Sequence, residues 1–192
     1  MMARSPAVIP VPDLTDAVVR LRAPERSDVD AIHAACQDPA IIRFTRVPFP
    51  YTKVHAQAFV RNAAHELRAG KGLHLVTADA VTGSLLGVVG LTFDHFRRSA
   101  EIGYWVAPEF RGRGVAPRSV RLLTAWAFAE HGCRRVQLMA DARNRASQRV
   151  AEACGFTREG VLRSYEDRLG ERIDYVCFSA LPGELTGPGL PD

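Results

Sequence analysis

Four cysteines, at positions 36, 133, 154 and 177, are scattered through the 192 residues, and no two form C-x-x-C. That spacing excludes the usual zinc sites. The apolar neighbours of each point to buried, reduced thiols in a cytoplasmic protein. No apolar run approaches the roughly 20 residues a membrane helix needs. Pro6, Pro10 and Pro12 break up the N-terminal stretch, so no signal peptide is expected. G-x-S-x-G is missing, and no cysteine stands in a nucleophile signature. His65-Glu66 begins H-E-x-x-H, but position 69 is Ala, so no metal is expected. No basic run alternates with aromatics, which argues against nucleic acid. The net charge of +4, with a pI near 9.1, is mild and suits at most an anionic ligand or an acidic partner.

What remains is an ordinary globular composition, 47% hydrophobic and 24% charged, with a length suited to one domain. No internal repeat interrupts it. Residues 17–181 read as that domain, with flexible tails expected at 1–16 and 182–192. Val18 to Arg22 reads as a strand. A helix follows from about Pro24 to Cys36 and stops at Asp38-Pro39. Ile41 to Pro50 is expected to be a loop in which Arg43, Phe44, Phe49 and Tyr51 either shape a pocket or simply pack. Thr52 caps a helix to about Ala69 with an inner stripe of Val54, Ala58, Phe59, Ala63 and Leu67. Strands are expected at 73–79, 85–93 and 100–106, then a helix at 117–131, a strand at 136–140 and a helix from Asn144 to Cys154. A hairpin of 157–165 and 172–180 turns at Leu169-Gly170. The order predicts an α/β (α+β) fold, a mixed and largely antiparallel sheet flanked by about four helices.

The stretch Arg111-Gly112-Arg113-Gly114-Val115-Ala116 links a strand to a helix. Its glycines permit a tight turn and close approach by a ligand. Pro117 suits the first helical turn, and the helix N-terminus behind the turn is a seat for phosphate. A P-loop would require Gly-Lys-Ser/Thr where Gly114-Val115-Ala116 stands. A dinucleotide fingerprint would require a glycine where Pro117 stands. A plain strand-to-helix turn is the remaining alternative.

With G-Y-W-V-A-P-E-F before it, this turn resembles the Gln/Arg-x-x-Gly-x-Gly/Ala signature of the GNAT N-acetyltransferases, met by Arg111, Gly114 and Ala116. Asn144-x-x-Ser147, Ala151 and Gly155-Phe156 resemble the RimJ/RimL-type branch, which acetylates ribosomal-protein N-termini. The resemblance spans roughly Val18 to Leu181 and is strongest over 100–178. It implies an N-acetyltransferase with acetyl-coenzyme A as acyl donor. The donor's pyrophosphate would lie on Val106 and on residues 111–116 (Arg111, Gly112, Arg113, Gly114, Val115, Ala116), with Arg111 and Arg113 able to pair with phosphates.

Acetyl transfer from a thioester to an amine needs orientation, a base for the ammonium proton and a proton for the leaving thiolate. By resemblance, Glu166 accepts the amine's proton, and Glu101 is a second base acting through water. The plainer alternatives are an exposed hairpin Glu and a salt-bridged Glu. Ser147 matches the serine that protonates the thiolate, though a first-turn helix serine is common for other reasons. Asn144 caps the helix, contacts the pantetheine, or both. Tyr165 and Tyr175 are further candidates for the thiolate acid. The acceptor is a peptide N-terminus or a small amine; no acidic cluster marks a polyamine site. The resemblance leaves a homodimer open, and a non-catalytic acyl-CoA-binding module is the rival function.

Overall fold

A computed structural model describes residues 11–188. Its alternating apolar segments form one sheet of eight strands. These are β1 (Leu14–Thr15), β2 (Val19–Arg22), β3 (Gly72–Asp79), β4 (Leu85–Asp94), β5 (Ser99–Val106), β6 (Arg135–Asp141), β7 (Thr157–Arg168) and β8 (Glu171–Ala180). Their order is β1-β2-β3-β4-β5-β6-β8-β7. Every neighbouring pair is antiparallel except β5 and β6. The helices are α1 (Val29–Ala35), α2 (Pro39–Phe44), α3 (Lys53–Arg68), α4 (Val115–Ala129) and α5 (Arg145–Ala153). The mixed, largely antiparallel sheet is therefore as expected, with one more helix than anticipated.

Strand alternation distributes the helices over both faces. Leu75, Val89, Ile102, Leu138 and Phe178 join Val120, Leu123 and Ala127 of α4 and Ala151 of α5 in one core. The neighbouring positions Val76, Ala78 and Val88 meet Phe59 of α3 on the opposite face. There Val29, Ile32, Ile41 and Ala56 build a second core against Trp105 and Ala107. Each fully buried Leu or Val contributes about 1.5–3 kcal/mol.

Three expectations are corrected. Residues 39–44 form α2, not a loop. Asp38-Pro39 ends one helix and also starts the next, because the Asp38 carboxylate accepts from the backbone N–H groups of Ala40 and Ile41 and Pro39 fits the first turn. Val54 is 66% exposed while Ala56 is fully buried. The inner stripe of α3 runs Ala56, Phe59, Ala63, Leu67, and Val54 falls on the far side of the helix. The described parts of both expected tails are also held. β1 pairs with β2, and Asp16 forms a 2.6 Å ion pair with Arg118 of α4. At the other end, buried Arg121 of α4 donates to the carbonyls of Ala153, Thr186 and Pro188. The remainder of each tail, 1–10 and 189–192, lies outside the described residues.

Candidate active site

The one parallel pairing opens the site. β5 and β6 are in register only from Ser99–Arg135 to Ile102–Leu138. β5 continues to Val106 and β6 to Asp141, so the two strands part and leave facing edges. A cleft of about 920 Å³ occupies the gap and continues on both sides. The glycine turn and α4 line one end. Arg46, Glu101, Arg168 and Tyr175 line the other, and Tyr104, Asn144 and Ser147 lie along the wall.

At the turn end, Gly112 and Gly114 take φ of 73° and 76°, the left-handed region that favours glycine. A Cβ at Gly112 would meet nothing within 4 Å, and at Gly114 only the Arg118 side chain at 4.0 Å. The space before the turn is therefore open. The Arg118 N–H donates to the Gly114 carbonyl at 3.4 Å, which closes the first turn of α4. The N–H groups of Gly114, Val115 and Ala116 precede it without helix partners, and Pro117 has none to leave unpaired. Unpaired N–H groups at a helix N-terminus attract anions.

The two arginines of the turn are engaged elsewhere. The Arg111 guanidinium donates to the Val106 carbonyl at 3.1 Å and to the Asp38 carboxylate at 2.7 Å. It ties the turn to the N-terminus of α2, and Asp38 is held below the usual carboxylate range by it and by backbone N–H groups, against the opposing effect of burial. Arg113 lies over the Phe110 ring at 5.6 Å. Arg111, which also lines the cleft, thus braces the turn, and Arg113 makes an exposed cation–π contact.

Along the wall, the Asn144 side chain accepts from the Ser147 N–H at 3.1 Å, capping α5. The Tyr104 hydroxyl donates to Ser147 Oγ, also at 3.1 Å. Burial pushes the Tyr104 phenol up to about 12, so it stays protonated at working pH. Because Ser147 accepts from Tyr104, its own O–H is free to donate elsewhere.

At the far end the two candidate bases meet. Glu101 of β5 and Glu166 of β7 share one guanidinium. Arg46 Nη1 donates to Glu101 at 3.0 Å, and Nη2 and Nε donate to Glu166 at 3.1 and 3.3 Å. Gln137 Nε2 donates to the other Glu101 oxygen at 3.1 Å. Tyr175 is buried, and its hydroxyl pKa is raised first by that burial and then by the negative charge of Glu166. Glu101 is thus both salt-bridged and part of the cleft, and Glu166 is not merely an exposed hairpin residue.

Other expectations fall out variously. Phe44 and Tyr51 line the cleft, whereas Arg43 sits over the Phe44 ring and Phe49 is 65% exposed. Tyr175 belongs to the Glu166 end and Tyr165 is exposed beside it, so neither shares the hydrogen bond of Ser147. The tyrosine that does, Tyr104, was missed, as were Arg46, Gln137 and Asp38. Tyr104 and Ser147 are separated by 43 positions, and Arg46 by 120 from Glu166; no local pattern marks such pairs. Among the described residues, no group of three or more His, Cys, Asp or Glu is arranged to hold a metal ion, and no helix is long and apolar enough to cross a membrane.

An open glycine turn at a helix N-terminus, a gap between splayed strands and a carboxylate pair bridged by Arg46 make up the candidate site. Residues 19–157 match the family model of the acetyltransferase (GNAT) domain, and the chain belongs to that family of N-acetyltransferases. YdaF of Bacillus subtilis, provisionally assigned as a ribosomal N-acetyltransferase, is 40% identical over 106 residues, 55% of this chain and 58% of that protein. The phosphinothricin N-acetyltransferase of Alcaligenes faecalis is 35% identical over 159 residues, 78% of this chain and 74% of that one. In fold, the chain superposes on Mycobacterium smegmatis RimJ, solved with a coenzyme A disulfide, with a TM-score of 0.79 at 23% identity, over 93% of this chain and 89% of RimJ.

Proposed function

We propose that this protein transfers an acetyl group from acetyl-coenzyme A to a primary amine, by direct attack with both substrates bound in the cleft. One observation carries the reading: a single cleft joins the open glycine turn, through the β5–β6 gap, to Glu101 and to Arg46, which pairs Glu101 with Glu166. When bound, acetyl-coenzyme A supplies an activated thioester, whose C–S bond breaks as the new N–C bond forms.

The chain's own groups do the rest. The N–H groups of Gly114, Val115 and Ala116 hold the pyrophosphate. The exposed edges of Gly103–Val106 and Met139–Asp141 offer backbone partners to the extended pantetheine. Glu166 takes the proton from the acceptor's ammonium, and Glu101, fixed by Gln137, supports the cation beside it. Ser147, oriented by Tyr104 and by the Asn144 cap, returns a proton to the departing sulfur. Relatives with different acceptors support only the general class, a peptide N-terminus or a small amine.

The test is thiol release from acetyl-coenzyme A against N-terminal peptides, amino acids, polyamines and aminoglycosides. Turnover with one class, lowered about 10²-fold or more by Glu166→Gln with the donor's affinity unchanged, is the expected result. An unaltered rate in that variant would remove Glu166 as the base.

A further inference from the structure

Glu101 and Arg46 line the cleft mouth and Glu166 lies against Arg46, the two carboxylate side chains being 28% and 22% exposed. Arg46, which bridges them, is 59% exposed and is therefore the outermost member of the trio. It stands on the irregular segment between α2 and α3, directly after the extended Thr45 that ends α2. Its guanidinium spends all three kinds of N–H on the two acids and, among the described residues, on no other. Glu101 also keeps the Gln137 amide when the arginine leaves.

A cation placed over two carboxylates at the mouth of an amine-binding cleft occupies the ground that the acceptor's own cation needs. Amines with ordinary alkyl basicity arrive as ammonium ions at neutral pH. An ammonium entering the cleft meets charges already neutralised by Arg46, unless it takes that residue's place. Exchange of one monocation for another leaves the charge of the site unchanged. The flexible arginine stem and the exposure of its head make the swing outward inexpensive.

Resting on the acetyltransferase reading, we propose that Arg46 is a specificity-determining residue, an internal competitor that the acceptor's ammonium must displace from Glu101 and Glu166. The site then admits acceptors that bind as cations and penalises neutral amines. It would also explain how a cleft with a carboxylate pair belongs to a chain whose sequence shows no acidic cluster.

Methylguanidinium chloride, titrated calorimetrically into the protein without donor or acceptor, copies the head of Arg46. Arg46→Ala should bind it roughly tenfold more tightly than the wild type does. Adding Glu101→Gln and Glu166→Gln should abolish the gain. Equal binding by wild type and Arg46→Ala overturns the proposal. With any acceptor that turns over, the KM for that amine should fall about tenfold in Arg46→Ala and return toward wild type in Arg46→Lys. A KM that rises would overturn it too, because Arg46 would then be holding the acceptor. Acetyl-coenzyme A affinity in Arg46→Ala reports that the fold is intact. Wild-type protein inert towards every amine would count against the enzymatic reading alone, since the titration decides the role of Arg46 by itself.

Discussion

Tyr104 illustrates how much a single hydroxyl can depend on its surroundings. With its pKa pushed up to about 12 by burial, the phenol is a permanent donor to Ser147 and is poorly placed to be the thiolate's acid itself. Tyr104→Phe should therefore lower kcat less than Ser147→Ala does, roughly tenfold against 10²-fold, and the double variant should be no worse than Ser147→Ala. Steady-state kinetics with acetyl-coenzyme A decides it; additive losses would separate the two residues. Glu159, away from the site, offers a test by pH. Hydrogen bonds from Arg135 at 2.6 Å and Ser179 at 2.7 Å lower its pKa from 4.5 to about 2. A carboxylate depressed in the folded state adds stability above its unfolded pKa and loses it as pH falls to the folded value. The melting-temperature gap between wild type and Glu159→Gln should be constant above pH 5 and close between about pH 4.5 and 2. The pair is solvent-exposed, so the gap corresponds to roughly 1 kcal/mol or less. A gap that widens on acidification would reverse the assignment.

Among the elements, α4 ties the cofactor end of the cleft to the C-terminal strand of chain that crosses its back. Among the described residues the Arg121 side chain has no carboxylate partner, and its guanidinium donates to the carbonyls of Ala153, Thr186 and Pro188. The strap lies close enough that a Cβ at Gly155 would fall 2.4 Å from the Glu184 carbonyl oxygen. Arg121→Ala leaves these carbonyls without a donor and should cost about 2–4 kcal/mol, visible in urea unfolding. Truncation after Leu181 should cost a similar amount, and the two changes together little more than either, because they remove the same contacts. Full additivity would show that the strap holds by other means. The helix α2 carries a parallel lesson. Asp-Pro was legible as a stop for α1, yet the same dipeptide caps the start of α2, and the packing of Ile41 beside Ile32 and Ala56 adds to that cap in favouring the helix over a loop.

At the scale of the whole molecule, the proposed donor seat at 112–116 is open to a thermal test. Coenzyme A at about 100 times its Kd should add about 2.7 kcal/mol, a rise in Tm of roughly 5–10 °C for a chain of this size. Gly114→Val should remove that rise, since a β-branched side chain resists φ of 76° and fills the open space before the turn. A full shift in the variant would place the pyrophosphate elsewhere. Much of this molecule was legible in its residues. Strand alternation, the Asn144 and Thr52 caps and the paired glycines each act over a few positions, so periodicity and turn chemistry reveal the elements, their order and the glycine turn before α4. The meetings of Arg46 with Glu101 and Glu166, of Tyr104 with Ser147 and of Arg111 with Asp38 were not legible. They join side chains 43 to 120 positions apart, and burial, strand register and the parting of β5 from β6 bring them together only when the sheet has closed.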